Sequence, residues 1–237
     1  MTQRRFYIII LFSLLAASSL TAQVAVPKDW NTEKIRGTRL VPYFSYSGNP
    51  YLNDKFETGE IELADGVKIG NLHLQYSTYR DEVIYFNPSI AAQIIIDKIS
   101  LKGFSVMDNK GLSRIFRLLY YDGFLPGNRF FEVLSEGEES LLVYRKVALQ
   151  NCPPYTDKGG TIMNMEYQQA FEYYLYNGKK EYEPIRIGRN SLLSKFDRTN
   201  MKLIKKILRK NKVSITDEAG FVRAWNLIVK SGISIKS

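Results

Sequence analysis

The chain has 237 residues and 45% hydrophobic content, which excludes a disordered polymer and leaves room for one large or two small domains. A single Cys excludes an internal disulfide, and a single His excludes a multi-histidine metal site. The net charge of +9 is unevenly placed: residues 185–237 hold 13 Lys or Arg against 3 Asp or Glu, while residues 23–184 sum to about −3.

Residues 1–22 have the order of a secretory signal. Arg4 and Arg5 form a charged start, Phe6 to Ala17 an apolar core too short for a membrane span, and Ser18 to Ala22 a small-residue cleavage region. Cleavage is expected after Ala22. No Cys stands near it, so lipoprotein processing is not expected. The reading is an exported protein, periplasmic or associated with the cell surface; the alternative is a retained N-terminal anchor.

Residues 23–58 form an arm in which Trp30, Tyr43, Phe44, Tyr46, Tyr51 and Phe56 are spaced as cover for a sheet edge. The clearest β signal follows. Ile61 and Leu63 alternate with Glu60 and Glu62, which places the apolar pair on one face and the carboxylates on the other. Asp65-Gly66 tolerates the positive φ of a tight hairpin turn. Leu72, Leu74 and Tyr76 alternate with His73, Gln75 and Ser77 after a break at Gly70-Asn71. Arg80-Asp81-Glu82 reads as a polar, exposed turn, and Val83 to Phe86 as the next strand.

The same style continues through 87–150. Ile94 to Ile96 suits a buried strand. Asp108 to Gly111 and Ser135 to Glu139 read as hairpin loops. Residues 151–164 read as a linker or long loop, because Pro153-Pro154 disfavours regular structure and Gly159-Gly160 adds freedom. Cys152 lies there without a basic neighbour to activate it. Residues 165–187 read as a hairpin about Asn177-Gly178, with a helix over Met165–Tyr174 as the alternative.

From about 190 the period becomes helical. Met201, Ile204, Ile207 and Leu208 recur on one face, and Lys202, Lys205, Lys206, Arg209 and Lys210 fill the other. Asn211 ends that helix. Thr216 is placed to cap a second, with Phe221, Ala224, Trp225 and Ile228 as its apolar face and Gly232 at its end.

The fold class expected is α+β: a mostly antiparallel β body, sandwich or barrel-like, followed by a short basic two-helix segment. The domain reading is a signal at 1–22, an arm and β body at 23–150, a linker at 151–164, and a hairpin with basic helices at 165–237.

No nucleophile elbow, phosphate loop or dinucleotide fingerprint occurs, and no catalytic, metal or cofactor site is assigned. The site residues expected are Lys205, Lys206, Arg209 and Lys210, as a surface for an envelope protein or an anionic membrane; the bland alternative is a solvated helix face. Nucleic acid is an unsuitable partner for an exported protein. Three functions stay open: non-enzymatic binding or scaffolding, a small-ligand carrier with a barrel cavity, and a polysaccharide hydrolase using carboxylates such as Glu60, Glu62, Asp81 and Glu82. Oligomeric state is left open.

The segments Asn49–Val67, Leu72–Phe86 (with its Y-x-x-Y-x-D-E at Tyr76 to Glu82), Arg129–Lys146 and Ser191–Ile215 together resemble an uncharacterised family of exported, β-rich proteins of Bacteroidetes-type bacteria. The resemblance covers most of residues 45–230. It implies an envelope location and the β-then-α layout, and it transfers no functional residue.

Overall fold

Alternation of apolar and polar residues over most of the chain produces strands, and short turns between them produce an antiparallel meander. The computed structural model describes residues 32–42, 46–108, 110–123, 125–137, 139–178 and 181–235. The residues 1–22 read as a signal, together with Trp30, Tyr43 and Phe44, lie outside these. Among the described residues the strands are β1 (Gly37–Arg39), β2 (Ser47–Gly48), β3 (Glu57–Leu63), β4 (Lys68–Ser77), β5 (Glu82–Asn87), β6 (Ala92–Ile96), β7 (Leu101–Met107), β8 (Ser113–Tyr121), β9 (Gly127–Ser135), β10 (Ser140–Asp157), β11 (Gly160–Tyr176) and β12 (Tyr182–Ile185). Three helices follow: α1 (Arg189–Leu193), α2 (Arg198–Lys210) and α3 (Glu218–Lys230). The architecture is a β-rich body with helices at its C-terminal end.

All twelve strands join one sheet in the order β1-β6-β5-β4-β3-β7-β8-β9-β10-β11-β12, with β2 added in parallel on β11. From Glu33 onward the chain is one compact unit. The β3–β4 turn uses Asp65-Gly66 as its sequence demands: Gly66 has φ +89°, and Asp65 Oδ1 accepts from the Val67 N–H at 3.0 Å. The break at Gly70-Asn71 is a β-bulge inside an uninterrupted strand, with Asn71 at φ +55°.

The sheet curls. Tyr76 on β4 and Phe130 on β9 have three strands between them, yet their ring centroids are 6.0 Å apart. A flat sheet with strands about 4.8 Å apart would separate them by about 19 Å. The curl also lets the Val147 N–H of β10 donate to the Thr78 carbonyl beside the β4–β5 turn at 3.2 Å. Among the described residues the sheet stays open: β1 pairs only with β6 and β12 only with β11, so the two ends of the strand path do not meet.

The inner face carries two continuous cores. The first stacks Phe104 on Phe116 at 4.5 Å, with Tyr76 and Phe130 packed against them and Ile61, Leu72 and Leu74 fully buried alongside. The second packs Ile204 and Leu208 of α2, and Phe221, Trp225 and Ile228 of α3, on Leu141, Leu175 and Ile185 of the sheet. Burying each such side chain contributes about 1.5–3 kcal/mol. Thus the helices dock on the sheet and on each other.

Three sequence readings are corrected. Residues 151–164 are no linker: β10 runs to Asp157, β11 starts at Gly160, and the two form one long hairpin. A register shift between Cys152 and Tyr155 takes up Pro153-Pro154, which is how a strand accommodates residues lacking an N–H donor. No domain boundary therefore falls at 150–164. The helix alternative over Met165–Tyr174 is strand throughout. Asp217 rather than Thr216 caps α3, its Oδ1 accepting from the Gly220 N–H at 2.8 Å.

Candidate functional site

The basic residues singled out in the sequence come together on α2. Asp197 starts that helix: its Oδ1 accepts from the N–H groups of Thr199 at 2.7 Å and Asn200 at 2.8 Å. Ile204 and Leu208 turn inward, so Lys205, Lys206, Arg209 and Lys210 are exposed, as are Arg198 and Lys202. At 100° per residue these six fall within an arc of roughly 140° along a helix about 20 Å long. No acidic residue lies within α2, and none of the six makes an ion pair with a described residue. Arg209 and Lys210 also sit at the negative end of the helix dipole, which favours their charge. Leu203, 46% exposed, borders the arc. This is an uncompensated cationic face with an apolar margin, suited to a surface of negative charge.

Sequence reasoning missed two buried polar networks. Asp81 was read as an exposed turn residue; it is 7% exposed and lies inside the curl. Its Oδ1 accepts from the Tyr76 hydroxyl at 2.6 Å and the Phe130 N–H at 3.3 Å, and its Oδ2 from Lys98 Nζ at 2.6 Å. The curl, invisible in a two-residue period, brings the turn beneath β9. Asp81 adopts φ +58°, a conformation that Asp tolerates better than most residues.

The second network joins the sheet to α3. Arg114 grips Glu132 with two hydrogen bonds of 2.8 Å, and Arg145 Nε donates to the same carboxylate. Arg145 Nη2 reaches Glu218 Oε1 at 2.8 Å, and the Tyr173 hydroxyl donates to Glu218 Oε2 at 2.8 Å. Burial pushes the Glu132 carboxyl up, but the hydrogen bond from Arg114 and the charges of Arg145 and Arg114 overcome it and hold the group below the usual carboxylate range. The available signal was phase: Glu132 falls at an inward position between Phe130 and Leu134, and Arg145 between Val143 and Val147. Every carboxylate oxygen of Asp81, Glu132 and Glu218 accepts at least one internal hydrogen bond, which ties both networks into the fold.

Family models, curated proteins and solved structures gave no match to the chain.

The remaining candidates are dispersed. His73 is exposed on the outer face of β4, opposite Thr58. Glu60 and Glu62 also stand on the outer face, near Lys68 at 3.7 Å and Lys102 at 3.8 Å. Glu60, Glu62 and Glu136 line one open cleft of about 450 Å³ together with Lys68, Lys102 and Arg117, while Asp81 is on the inside and does not face it. Cys152 Sγ lies 3.6 Å from Glu166 Oε2; desolvation and that carboxylate push its thiol up, away from reactivity. Asp108 Oδ1 accepts from the N–H groups of Lys110 and Leu112 at 2.8 Å, the arrangement of a plain turn. Among the described residues no three metal-binding side chains cluster, and no helix is long and apolar enough to cross a membrane.

Proposed function

We propose that this chain is an exported cell-envelope protein that acts by binding, with the outer face of α2 as its attachment surface to an anionic membrane. The carrying observation is the set of six exposed cations on α2, held rigidly because the opposite face of the same helix is locked into the second core. Export is supported by the charge, apolar core and small-residue order of residues 1–22, and an envelope location by the resemblance of the body and helical end to exported β-rich proteins. A binding role is favoured over a carrier because stacked rings fill the inner face where a ligand cavity would lie. It is favoured over a hydrolase because Glu60 and Glu62, though they line one open cleft, stand beside Lys68 and Lys102 there, and Asp81 is buried on the opposite face.

The test is sedimentation of the full chain with vesicles of pure phosphatidylcholine and with vesicles containing phosphatidylglycerol. Binding that requires the anionic lipid and disappears when Lys205, Lys206, Arg209 and Lys210 are changed to Glu supports the reading. Equal binding by the variant, or binding to neither vesicle, sinks it; in the latter case retention of an acidic envelope protein by the same four residues would identify the partner as protein.

A further inference from the structure

Among the described residues, the outer edge of β11 is paired at two places and unpaired between them. β2 pairs with it in parallel at Glu166 and Tyr167, and β12 pairs antiparallel from Tyr173 to Tyr176. Between these, no described strand pairs with Gln168–Glu172 on that edge, whereas on the other edge β10 pairs with all five residues. Five residues of strand span about 17 Å. Every second residue of such a stretch directs its N–H and C=O outward, and an unused row of this kind is a template for another strand.

Each end of the gap opens into a cleft. At the β12 end, a mainly apolar cleft of about 550 Å³ is lined by Phe171, Tyr173, Ile185 and Ile187 among others, with Glu172 and Arg186 its charged residues. At the β2 end, one of about 480 Å³ is lined by Asn49, Asn53, Asp54, Glu57 and Gln169, with Lys55 its one cation. Phe171 is 46% exposed, with the Arg145 guanidinium of the neighbouring strand 5.0 Å from its ring centroid. Gln169 and Phe171 are two residues apart and so stand on the same face. A strand laid in the gap would therefore set two side chains, also two apart, one over the apolar cleft and one over the acidic cleft.

We propose that the gap is a docking slot for a short extended peptide of another polypeptide, which adds to β11 as an extra strand. It carries an apolar residue over Phe171 and a Lys or Arg two positions away over Gln169. Main-chain hydrogen bonds supply the affinity and the two clefts the selectivity. The recess chooses the occupant. β2 and β12 flank the gap on the same edge, so the sheet edge of a second folded copy meets them before it reaches β11. A free peptide of about five residues fits between them.

The probes are two fluorescein-labelled peptides, Ser-Leu-Thr-Lys-Thr and its reverse Thr-Lys-Thr-Leu-Ser, which cover both strand directions. Fluorescence anisotropy with the full chain should show saturable binding of one of them. N-methylation of its alternate backbone amides should weaken binding about tenfold, as should Phe171→Thr or, at the other end, Asp54→Asn. Hydrogen exchange should slow at amides within Gln168–Glu172 when the peptide is present. Reversal of the α2 cations should leave all of this unchanged, which separates the slot from membrane attachment. Failure of both probes to bind saturably, binding indifferent to N-methylation, or protection confined to another part of the sheet overturns the proposal.

Discussion

Tyr76 donates its hydroxyl hydrogen to Asp81 Oδ1 at 2.6 Å, across the β4–β5 turn and inside the curl of the sheet. Lys98 Nζ holds the other oxygen at 2.6 Å, and the Phe130 N–H approaches the first at 3.3 Å. One carboxylate thus ties the turn to β4, to the segment before β7 and to β9. The burial of Tyr76 and this neighbour both push its hydroxyl well above the ordinary tyrosine range. Asp81→Asn sets an amide against the Lys98 ammonium and should cost about 3 kcal/mol, since breaking a buried pair strands its partner. Tyr76→Phe removes one hydrogen bond to a charged group and should cost about 1.5–3 kcal/mol. The double variant should lose less than the two costs added, because both changes remove the same contact. Urea unfolding curves decide; a loss under about 0.5 kcal/mol for Asp81→Asn would show the hub to be incidental.

The Glu132 network makes stability depend on acid. The folded Glu132 carboxyl titrates below its ordinary value despite burial, because Arg114 and Arg145 hold it ionised. A carboxylate with a depressed pKa contributes stability that is fully present above the unfolded value of about 4.3 and is lost as pH falls through the folded one. At neutral pH Glu132→Gln should cost about 3 kcal/mol. The gap between native and variant should narrow once pH drops below about 4.3. Thermal unfolding of both proteins from pH 7 to pH 3 measures it; a gap that widens on acidification contradicts the assignment.

The tyrosines give the opposite sign. Burial, reinforced by Asp81, pushes the Tyr144 hydroxyl up to about 12, and Tyr173, Tyr174 and Tyr182 are raised in the same direction, chiefly by burial. A group with a raised folded pKa contributes stability below its unfolded value of about 10, and that stability is lost as pH rises toward the folded value. Alkaline titration followed by phenolate absorbance should show two phases, the second from these four tyrosines. That second, cooperative phase should coincide with loss of the circular dichroism of the sheet. Tyr144→Phe should diminish the second phase only. Smooth titration of Tyr144, Tyr173, Tyr174 and Tyr182 near pH 10, with the sheet intact, would contradict the burial of these four hydroxyls.

Much of this architecture was legible in the chain. The alternation of Ile61 and Leu63 with Glu60 and Glu62 fixes an inner and an outer face, and the structure buries the first pair to 0% and 5%. The three-and-four spacing of Met201, Ile204 and Leu208 likewise determines which side of α2 presents its cations. Local periodicity has no term for curl, however. Nothing near Asp81 states that Phe130, 49 residues on, will lie above it. Nor does Pro153-Pro154 announce a bulge, since the same pair would break a strand not held on its other side by a long partner. The gap on β11 was equally hidden, because it arises from where β2 and β12 stop rather than from any residue within it.

The proposed attachment surface is the part most readily separated from the fold. Lys205, Lys206, Arg209 and Lys210 are exposed and their neighbours Ile204 and Leu208 carry the packing, so neutralising the four to Gln should shift stability by no more than about 0.5 kcal/mol. Near an anionic surface each cation contributes about 1 kcal/mol, so removing four should weaken binding to phosphatidylglycerol vesicles by about a thousandfold at low salt. Salt should act on the native protein in the same direction, since at physiological ionic strength the screening length of about 8 Å is shorter than the helix. The two effects must overlap: added salt should weaken the native protein steeply and the Gln variant hardly at all. Parallel salt curves for the two proteins would mean that the charge on α2 faces only water.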